Sequence, residues 1–141
     1  MSRKSRGGYR GEGNAVARVL VIDDDALVRD TIRVMLEFEG HDAVLARDGH
    51  AGIDEFRARR FDLAICDVFT PDLSGLETIS RIRGLSATVP IIAMTGGFAE
   101  APETRFSSDL LQTARHNGAT LTLLKPFRHE QLMALVRHCL C

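Results

Sequence analysis

Short, mainly apolar runs recur along the chain, with longer mixed segments between them. Four of these runs lie at residues 19–22, 63–66, 90–94 and 121–124, and a fifth, less apolar one lies at 43–46. They are too short for helices, and the first four are too apolar for half-exposed strands. The pattern is typical of strands buried on both faces, as in a parallel sheet.

In the intervening segments, apolar residues recur every three or four positions, which predicts helices. The capping box Ser74-x-x-Glu77 marks the start of one of them. The predicted helices run from near Asp25 to Gly40, from about 48 to 59, from Ser74, from Ser107 or Ser108 to 117–118, and from about Arg128. Strands that alternate with helices predict an α/β sheet with right-handed crossovers.

The composition adds limits to this picture. A chain of 141 residues with 45% hydrophobic and 26% charged residues is typical of one soluble globular domain. The net charge of −1 gives the folded domain no general attraction for nucleic acid or membranes. No apolar run approaches the roughly 20 residues that span a bilayer.

The first 17 residues are basic and rich in Gly, Arg and Ser, so they are predicted to form a disordered tail ahead of a domain at 18–141. A sharper alternative is a weak polyanion-binding arm that uses Arg3, Lys4, Arg6 and Arg10. The tail lacks the apolar core of a signal peptide. Together with the three cysteines, this predicts a cytoplasmic protein.

The candidate chemistry lies where the predicted strands end. In parallel α/β sheets, ligands bind at the carboxyl ends of the strands. Asp23 and Asp24 follow the first strand, Asp67 the third, Thr95 the fourth and Lys125 the fifth. Four of the five strands therefore lead into a residue that can handle charge or phosphate.

Three carboxylates at one sheet edge need a compensating charge. Two unit charges about 4 Å apart repel by about 4 kcal/mol at an effective dielectric near 20. Mg²⁺ prefers oxygen ligands and is often shared with phosphate, and a lysine adds a compact positive charge. Because a carboxylate can itself attack phosphorus, the set predicts phosphoryl transfer through an aspartyl-phosphate.

Four motifs extend this prediction: "VIDDD", "LAICDVFTPDLSGLE", "PIIAMTGG" and "GATLTLLKPF", in that order. Over residues 18–140 the chain resembles the receiver domain of two-component response regulators. The resemblance implies a flavodoxin-like, doubly wound five-stranded parallel sheet of order 2-1-3-4-5 with helices on both faces. It also implies a phosphoacceptor signalling domain and not an enzyme.

The resemblance assigns a role to each acidic residue. Asp67 would accept the phosphoryl group. Asp24 would bind Mg²⁺ directly, and Asp23 would act mainly through metal-bound water. Phe69 would offer its backbone carbonyl to the metal. Asp25, in contrast, is interpreted as the cap of the first helix.

The remaining roles also come from the resemblance. Lys125 would contact the phosphoryl group, and Thr95 would hydrogen-bond to it once it is attached. The Lys125–Pro126 bond is often cis in this family. Pro71 and Gly75 match the turn that follows the acceptor.

Two departures from the family pattern affect the signal. Thr122 stands where many receivers have a Tyr or Phe that moves inward on phosphorylation, so Phe98 or Phe106 is hypothesised to report the change instead. The segment from Thr95 to Lys125 is longer than usual, and the excess falls in the 96–109 loop. That loop is either an inert insertion or a partner-specific surface.

The resulting expectation is a stand-alone receiver in the cytoplasm. It would take a phosphoryl group from a histidine kinase or histidine phosphotransfer protein, as a monomer or a phosphorylation-dependent dimer. It would then either signal to a downstream protein through changed protein–protein contacts or relay the phosphoryl group onward. Two alternatives stay open. One is a small Mg²⁺-dependent phosphohydrolase, because Asp23 and Asp25 form an Asp-x-Asp pair. The other is a pseudo-receiver that no longer uses phosphate, which Thr122 favours slightly.

Overall fold

The computed structural model describes residues 16–69, 73–96 and 112–141. Its strands and helices alternate along the chain, as the apolar runs predict. The elements are β1 (Arg18–Ile22), α1 (Ala26–Phe38), β2 (Asp42–Ala46), α2 (Gly49–Ala58), β3 (Leu63–Asp67), α3 (Gly75–Leu85), β4 (Ile91–Thr95), a helical segment α4 (112–116), β5 (Leu121–Leu124) and α5 (His129–Leu140).

The five strands form one parallel sheet in the order β2-β1-β3-β4-β5, which confirms the predicted topology. Ile22 at the end of β1 lies beside Ala46 of β2 and Cys66 of β3. The strands thus end at one common edge, called here the carboxyl edge. The opposite edge, where the strands begin, is called the amino edge.

Helices cover both faces of the sheet, as predicted. Leu20 and Ile22 of β1 pack in one core cluster together with Ile79 and Ile82 of α3. The alternate β1 residues pack in a second cluster, with residues of α1 and α5 such as Leu36 and Val136. Because side chains alternate across a strand, burial on both faces requires the nearly continuous apolar runs seen in the sequence.

Helix caps and strand ends place the residues of interest. Asp25 caps α1, its side chain accepting a hydrogen bond from the Leu27 N–H, which confirms the interpretation of that residue. β4 begins at Ile91 and not at Pro90, because proline has no N–H to offer. β3 and β4 each extend one residue beyond the prediction, so Asp67 and Thr95 are the last residues of their strands.

The described part of the chain begins before β1. Ala17 is buried, and its carbonyl accepts a hydrogen bond from the Asp42 N–H at 2.8 Å, although the sequence assigned it to the tail. Phe98, Phe106, Pro71, the 96–109 loop beyond Gly96 and the predicted helix start at 107 or 108 lie outside the described residues. Within the described ranges, no helix has the length and apolar character needed to cross a membrane.

Candidate functional site

The carboxyl edge brings together the three predicted carboxylates. Asp23 follows β1, and Asp67 ends the neighbouring strand β3. Asp23, Asp24 and Asp67 each offer a carboxylate oxygen, and these oxygens all lie within 4.8 Å of one another. The convergence inferred from the strand order is therefore present in the structure.

Asp23 is fully buried, and both of its carboxylate oxygens have protein partners. Oδ1 accepts a hydrogen bond from the Asp25 N–H at 2.9 Å, and Oδ2 accepts one from Lys125 Nζ at 2.9 Å. Asp24 differs, because its side chain is exposed and has no hydrogen bond or ion pair with any described residue. Of the two neighbours, Asp24 therefore has the carboxylate that is available to an added ligand.

Asp67 is buried with only 5% of its surface exposed. Its Oδ1 accepts a hydrogen bond from the Phe69 N–H at 3.0 Å, and its Oδ2 accepts one from Lys125 Nζ at 3.2 Å. Burial and the nearby Asp23 charge raise the pKa of Asp67 to about 6, against the lowering effects of Phe69 and Lys125. The fold thus places this carboxylate where its ionised form is disfavoured and where a bound cation would stabilise it.

Lys125 Nζ bridges Asp23 and Asp67, at 2.9 Å and 3.2 Å respectively. Burial alone would lower the pKa of Lys125, but its hydrogen bond to Asp23 and the charges of both aspartates raise that pKa overall, so the ammonium stays charged. The Lys125–Pro126 peptide bond is cis, as expected from the resemblance. One ammonium therefore pairs with two carboxylates, and the third, that of Asp24, pairs with no cation among the described side chains.

Thr95 is fully buried at the end of β4, beside the site. Its carbonyl accepts a hydrogen bond from the Lys125 N–H at 2.8 Å, which ties the end of β4 to the lysine. Thr122 lies in β5 opposite Ala93 and is half-buried. Thr95 thus adjoins the charged cluster, whereas Thr122 lies within the sheet and three residues before the lysine.

Phe69 follows the acceptor strand by two residues, and its side chain is 47% exposed. Its N–H holds Asp67 Oδ1, so its backbone lies at the carboxylate cluster. The assigned backbone-carbonyl role of Phe69 remains a prediction.

Two further residues support the site. Arg29 donates a hydrogen bond through Nη1 to the Asp23 carbonyl at 2.7 Å, a contact that the sequence pattern does not predict. Gly75 packs so closely on the backbone of Asp67 and Val68 that a Cβ there would collide with both. The motif gave a signal for Gly75 as part of a turn, but nothing in the sequence linked Arg29 to Asp23.

The cluster suits a divalent cation. Its donors are carboxylate oxygens, Asp24 has no protein partner in the described ranges, and the charge of Asp67 is disfavoured without added positive charge. Hard cations such as Mg²⁺ prefer such oxygen donors. Residues Asp24 and Asp67, with Asp23 behind them, fit the predicted metal.

The neighbouring thiol does not share this chemistry. Cys66 is fully buried, and burial, followed by the charges of Asp67 and Asp23, raises its pKa. The thiol therefore stays protonated and packs as a small apolar group.

Comparisons with known proteins agree with this geometry. The family described as the response regulator receiver domain matches residues 19–137. Response regulator MprA of Mycobacterium tuberculosis (strain ATCC 25618 / H37Rv) is 36% identical over 120 residues, which covers 85% of this chain and 49% of that protein. The chain thus spans about half the length of the curated relatives it matches.

Solved structures show the same fold. The chemotaxis protein CheY4 of Vibrio cholerae has a TM-score of 0.77 at 30% identity, covering 89% of this chain and 99% of that one. A CheY-like response regulator receiver domain protein of Methanospirillum hungatei JF-1 has a TM-score of 0.78 at 25% identity, covering 89% and 94%.

Proposed function

Because the chain belongs to the response regulator receiver family, we propose that Asp67 accepts a phosphoryl group from a histidine kinase or a histidine phosphotransfer protein. One observation carries the proposal: Lys125 Nζ lies 3.2 Å from Asp67 Oδ2, inside a cluster of three carboxylates at the carboxyl edge. The chain would act as the acceptor of the group and not as a catalyst that turns over a separate substrate.

In the proposed step, a carboxylate oxygen of Asp67 attacks the phosphorus of a phosphohistidine. A new O–P bond forms while the N–P bond breaks, and the bonding electron pair stays with the imidazole nitrogen, which is protonated on release. Lys125 stabilises the negative charge on the transferring oxygens, and the Thr95 hydroxyl donates to them once the group is attached. Asp67 must be ionised to attack, and above its pKa of about 6 it is.

Asp24 and Asp67 would hold Mg²⁺, with Asp23 acting mainly through metal-bound water and Phe69 offering its carbonyl. The ion would supply positive charge to the transferring phosphoryl oxygens. Arg29 and the Asp25 N–H keep Asp23 in place for this role. In the cytoplasm, where we place the reaction, the three unpaired cysteines would stay reduced.

The test is phosphoryl uptake from a small donor. The full chain is incubated with acetyl phosphate and Mg²⁺, and its intact mass is recorded over time. The proposal expects a gain of one phosphoryl group that disappears when EDTA replaces Mg²⁺.

Two variants serve as controls. Asp67→Asn removes the acceptor and should show no gain, whereas Asp54→Asn changes an exposed aspartate on α2 and should behave as the wild type. No gain in a folded wild-type chain that binds Mg²⁺ would contradict the proposal and favour a phosphate-independent interaction module. Continuous release of phosphate from a generic phosphomonoester would instead favour the phosphohydrolase.

A further inference from the structure

A cleft of about 510 Å³ lies at the amino edge, on the far side of the sheet from Asp67. The end of α2, the segment before β3 and the segment before β4 form its walls. This volume falls within the range of about 300–1,000 Å³ that small-molecule sites occupy. The described part of the cleft is thus large enough for a compact ligand.

The cleft is strongly positive in a chain whose net charge is −1. Arg57, Arg59 and Arg60 line it, and none of its described lining residues is acidic. Arg59 Nε pairs with Glu55 at 3.2 Å. The guanidinium groups of Arg57 and Arg60 have no hydrogen bond or ion pair with any described residue, so two charges are available to an added anion.

The other residues that line the cleft favour binding of an anion by these two guanidinium groups over their hydration by water. Phe56 and Phe61 stack with their ring centroids 5.9 Å apart and give the cleft an apolar wall. The side-chain Oγ of Ser86 accepts a hydrogen bond from the Val89 N–H at 3.1 Å. The Ser86 hydroxyl hydrogen is then available for donation to a ligand. An apolar wall beside a charged group lowers the local dielectric and strengthens its electrostatic interactions.

Helix electrostatics explain only part of this arrangement. A cation in the last turn of a helix interacts favourably with the helix dipole, and Arg57 stands in the last turn of α2. Arg60 lies beyond the helix, where this interaction fades. The dipole therefore gives no reason for a second unpaired guanidinium in the same cleft.

We propose that this cleft, formed around Arg57, Arg60 and the Phe56–Phe61 stack, binds a small molecule that carries a polyphosphate group. Guanidinium groups match phosphate oxygens with paired hydrogen bonds, and two of them together select a ligand with more than one phosphate. The site is independent of the phosphoacceptor cluster, which lies at the other edge and is acidic. It would give the receiver a second input besides phosphorylation.

The test is a titration of the isotope-labelled full chain with sodium tripolyphosphate, followed by amide chemical shifts. EDTA is present throughout, so that no metal can recruit the anion to the acidic cluster. We expect saturable shifts centred on residues 56–61 and 86–89. A parallel titration with ATP distinguishes the source of the phosphates: tighter binding than tripolyphosphate indicates a nucleotide, and equal binding indicates the phosphates alone.

Matched double variants distinguish binding in the cleft from nonspecific attraction of the anion to surface arginines. Arg57→Gln with Arg60→Gln should weaken tripolyphosphate binding at least tenfold. Arg47→Gln with Arg137→Gln removes the same charge from exposed positions elsewhere and should change binding less than twofold. Arg3→Gln with Arg6→Gln makes the same comparison for the basic tail.

Several results would overturn the proposal. These are an absence of saturable shifts in the wild-type chain, shifts centred outside the cleft, or equal weakening in all three double variants. Tighter binding of an oligoglutamate peptide than of tripolyphosphate would also overturn it, because a protein surface would then be the better partner. The wild-type shift map decides the question even if a variant fails to fold.

Discussion

The acidic cluster at the carboxyl edge and Arg83 at the amino edge use charge in opposite ways. At the carboxyl edge, three carboxylates cluster beside a single ammonium that pairs with two of them, and the pKa of Asp67 is raised to about 6. At the amino edge, Arg83 donates through Nη1 to the Val89 carbonyl and through Nη2 to the Gly118 carbonyl, each at 2.7 Å. The first arrangement leaves charge uncompensated, whereas the second satisfies polar groups that the fold has partly buried.

The difference separates a group that stabilises the fold from a group whose charged form the fold destabilises. Arg83 joins α3 to the segments before β4 and β5. These hydrogen bonds form only in the folded chain, so they contribute to the free energy of unfolding. Asp67 would be more stable protonated or beside a cation, and it is therefore ready to react. Removing the first group should cost stability and spare reactivity, and removing the second should do the reverse.

The largest expected effect is that of Arg83→Ala. It leaves the carbonyls of Gly118, Val89 and Ser86 without their donor. Hydrogen bonds to a charged group are worth about 1.5–3 kcal/mol each, so at the lower end of this range the loss of three should reduce the free energy of unfolding by about 4.5 kcal/mol. Urea unfolding measures this loss, and phosphoryl uptake by the folded fraction should match the wild type. A loss below 1 kcal/mol would contradict the role given to Arg83.

The second-largest effect should be a dependence of the free energy of unfolding on pH, measured in EDTA so that no metal is bound. Between the unfolded pKa of 3.8 and the folded pKa of about 6, the folded chain keeps a proton on Asp67 that the unfolded chain has released. Stability therefore falls as pH rises through this window, by about 3 kcal/mol at 1.36 kcal/mol per pKa unit. Asp67→Asn lacks this loss, so its stability relative to the wild type should increase from pH 4 to pH 7. A constant difference across that range would show that Asp67 titrates normally.

Mg²⁺ should stabilise the folded chain through the carboxylates of the carboxyl edge. At ten times the dissociation constant, a ligand that binds only the folded state adds about 1.4 kcal/mol. The wild-type chain should gain this amount at neutral pH, while Asp24→Asn should gain much less because it loses the one carboxylate of the three-aspartate cluster that has no partner among the described residues. Thermal unfolding with and without Mg²⁺ measures both. Equal gains would place the ion elsewhere.

The smallest effect is expected two residues before Arg83. Arg81 pairs with Glu77 at 3.0 Å on the exposed surface of α3. Such pairs contribute about 0.3–0.5 kcal/mol, so Arg81→Ala should change the unfolding free energy by less than about 0.5 kcal/mol. The same urea experiment compares it directly with Arg83→Ala. A loss similar to that of Arg83→Ala would mean that charge, and not the bonds to carbonyls, stabilises this edge.

The carboxyl edge could be predicted from the sequence for a specific physical reason. Apolar runs buried on both faces imply a parallel sheet, and a parallel sheet gathers the strand ends at one edge. Asp23, Asp67 and Lys125 could thus be brought together without knowledge of any contact. The Asp25 cap was also predictable, because capping depends on residues adjacent in sequence.

The supporting contacts could not be predicted in the same way. Arg29 reaches the Asp23 carbonyl, and Arg83 reaches Gly118 across 35 positions, through side-chain directions that only packing decides. That Arg57 and Arg60 pair with no carboxylate in the described ranges likewise depends on how the elements pack. Periodicity reports which face of an element is buried, but it does not report which long side chain meets which carbonyl.

The most direct test of the central claim locates the phosphoryl group. The chain is treated with acetyl phosphate and Mg²⁺, and the product is reduced with borohydride, which converts an acyl phosphate of aspartate to homoserine. Peptide mass mapping then identifies the modified position. We expect homoserine at position 67 alone. Homoserine at 23, at 24 or at a position outside the carboxyl edge would contradict the assignment of Asp67 as the acceptor.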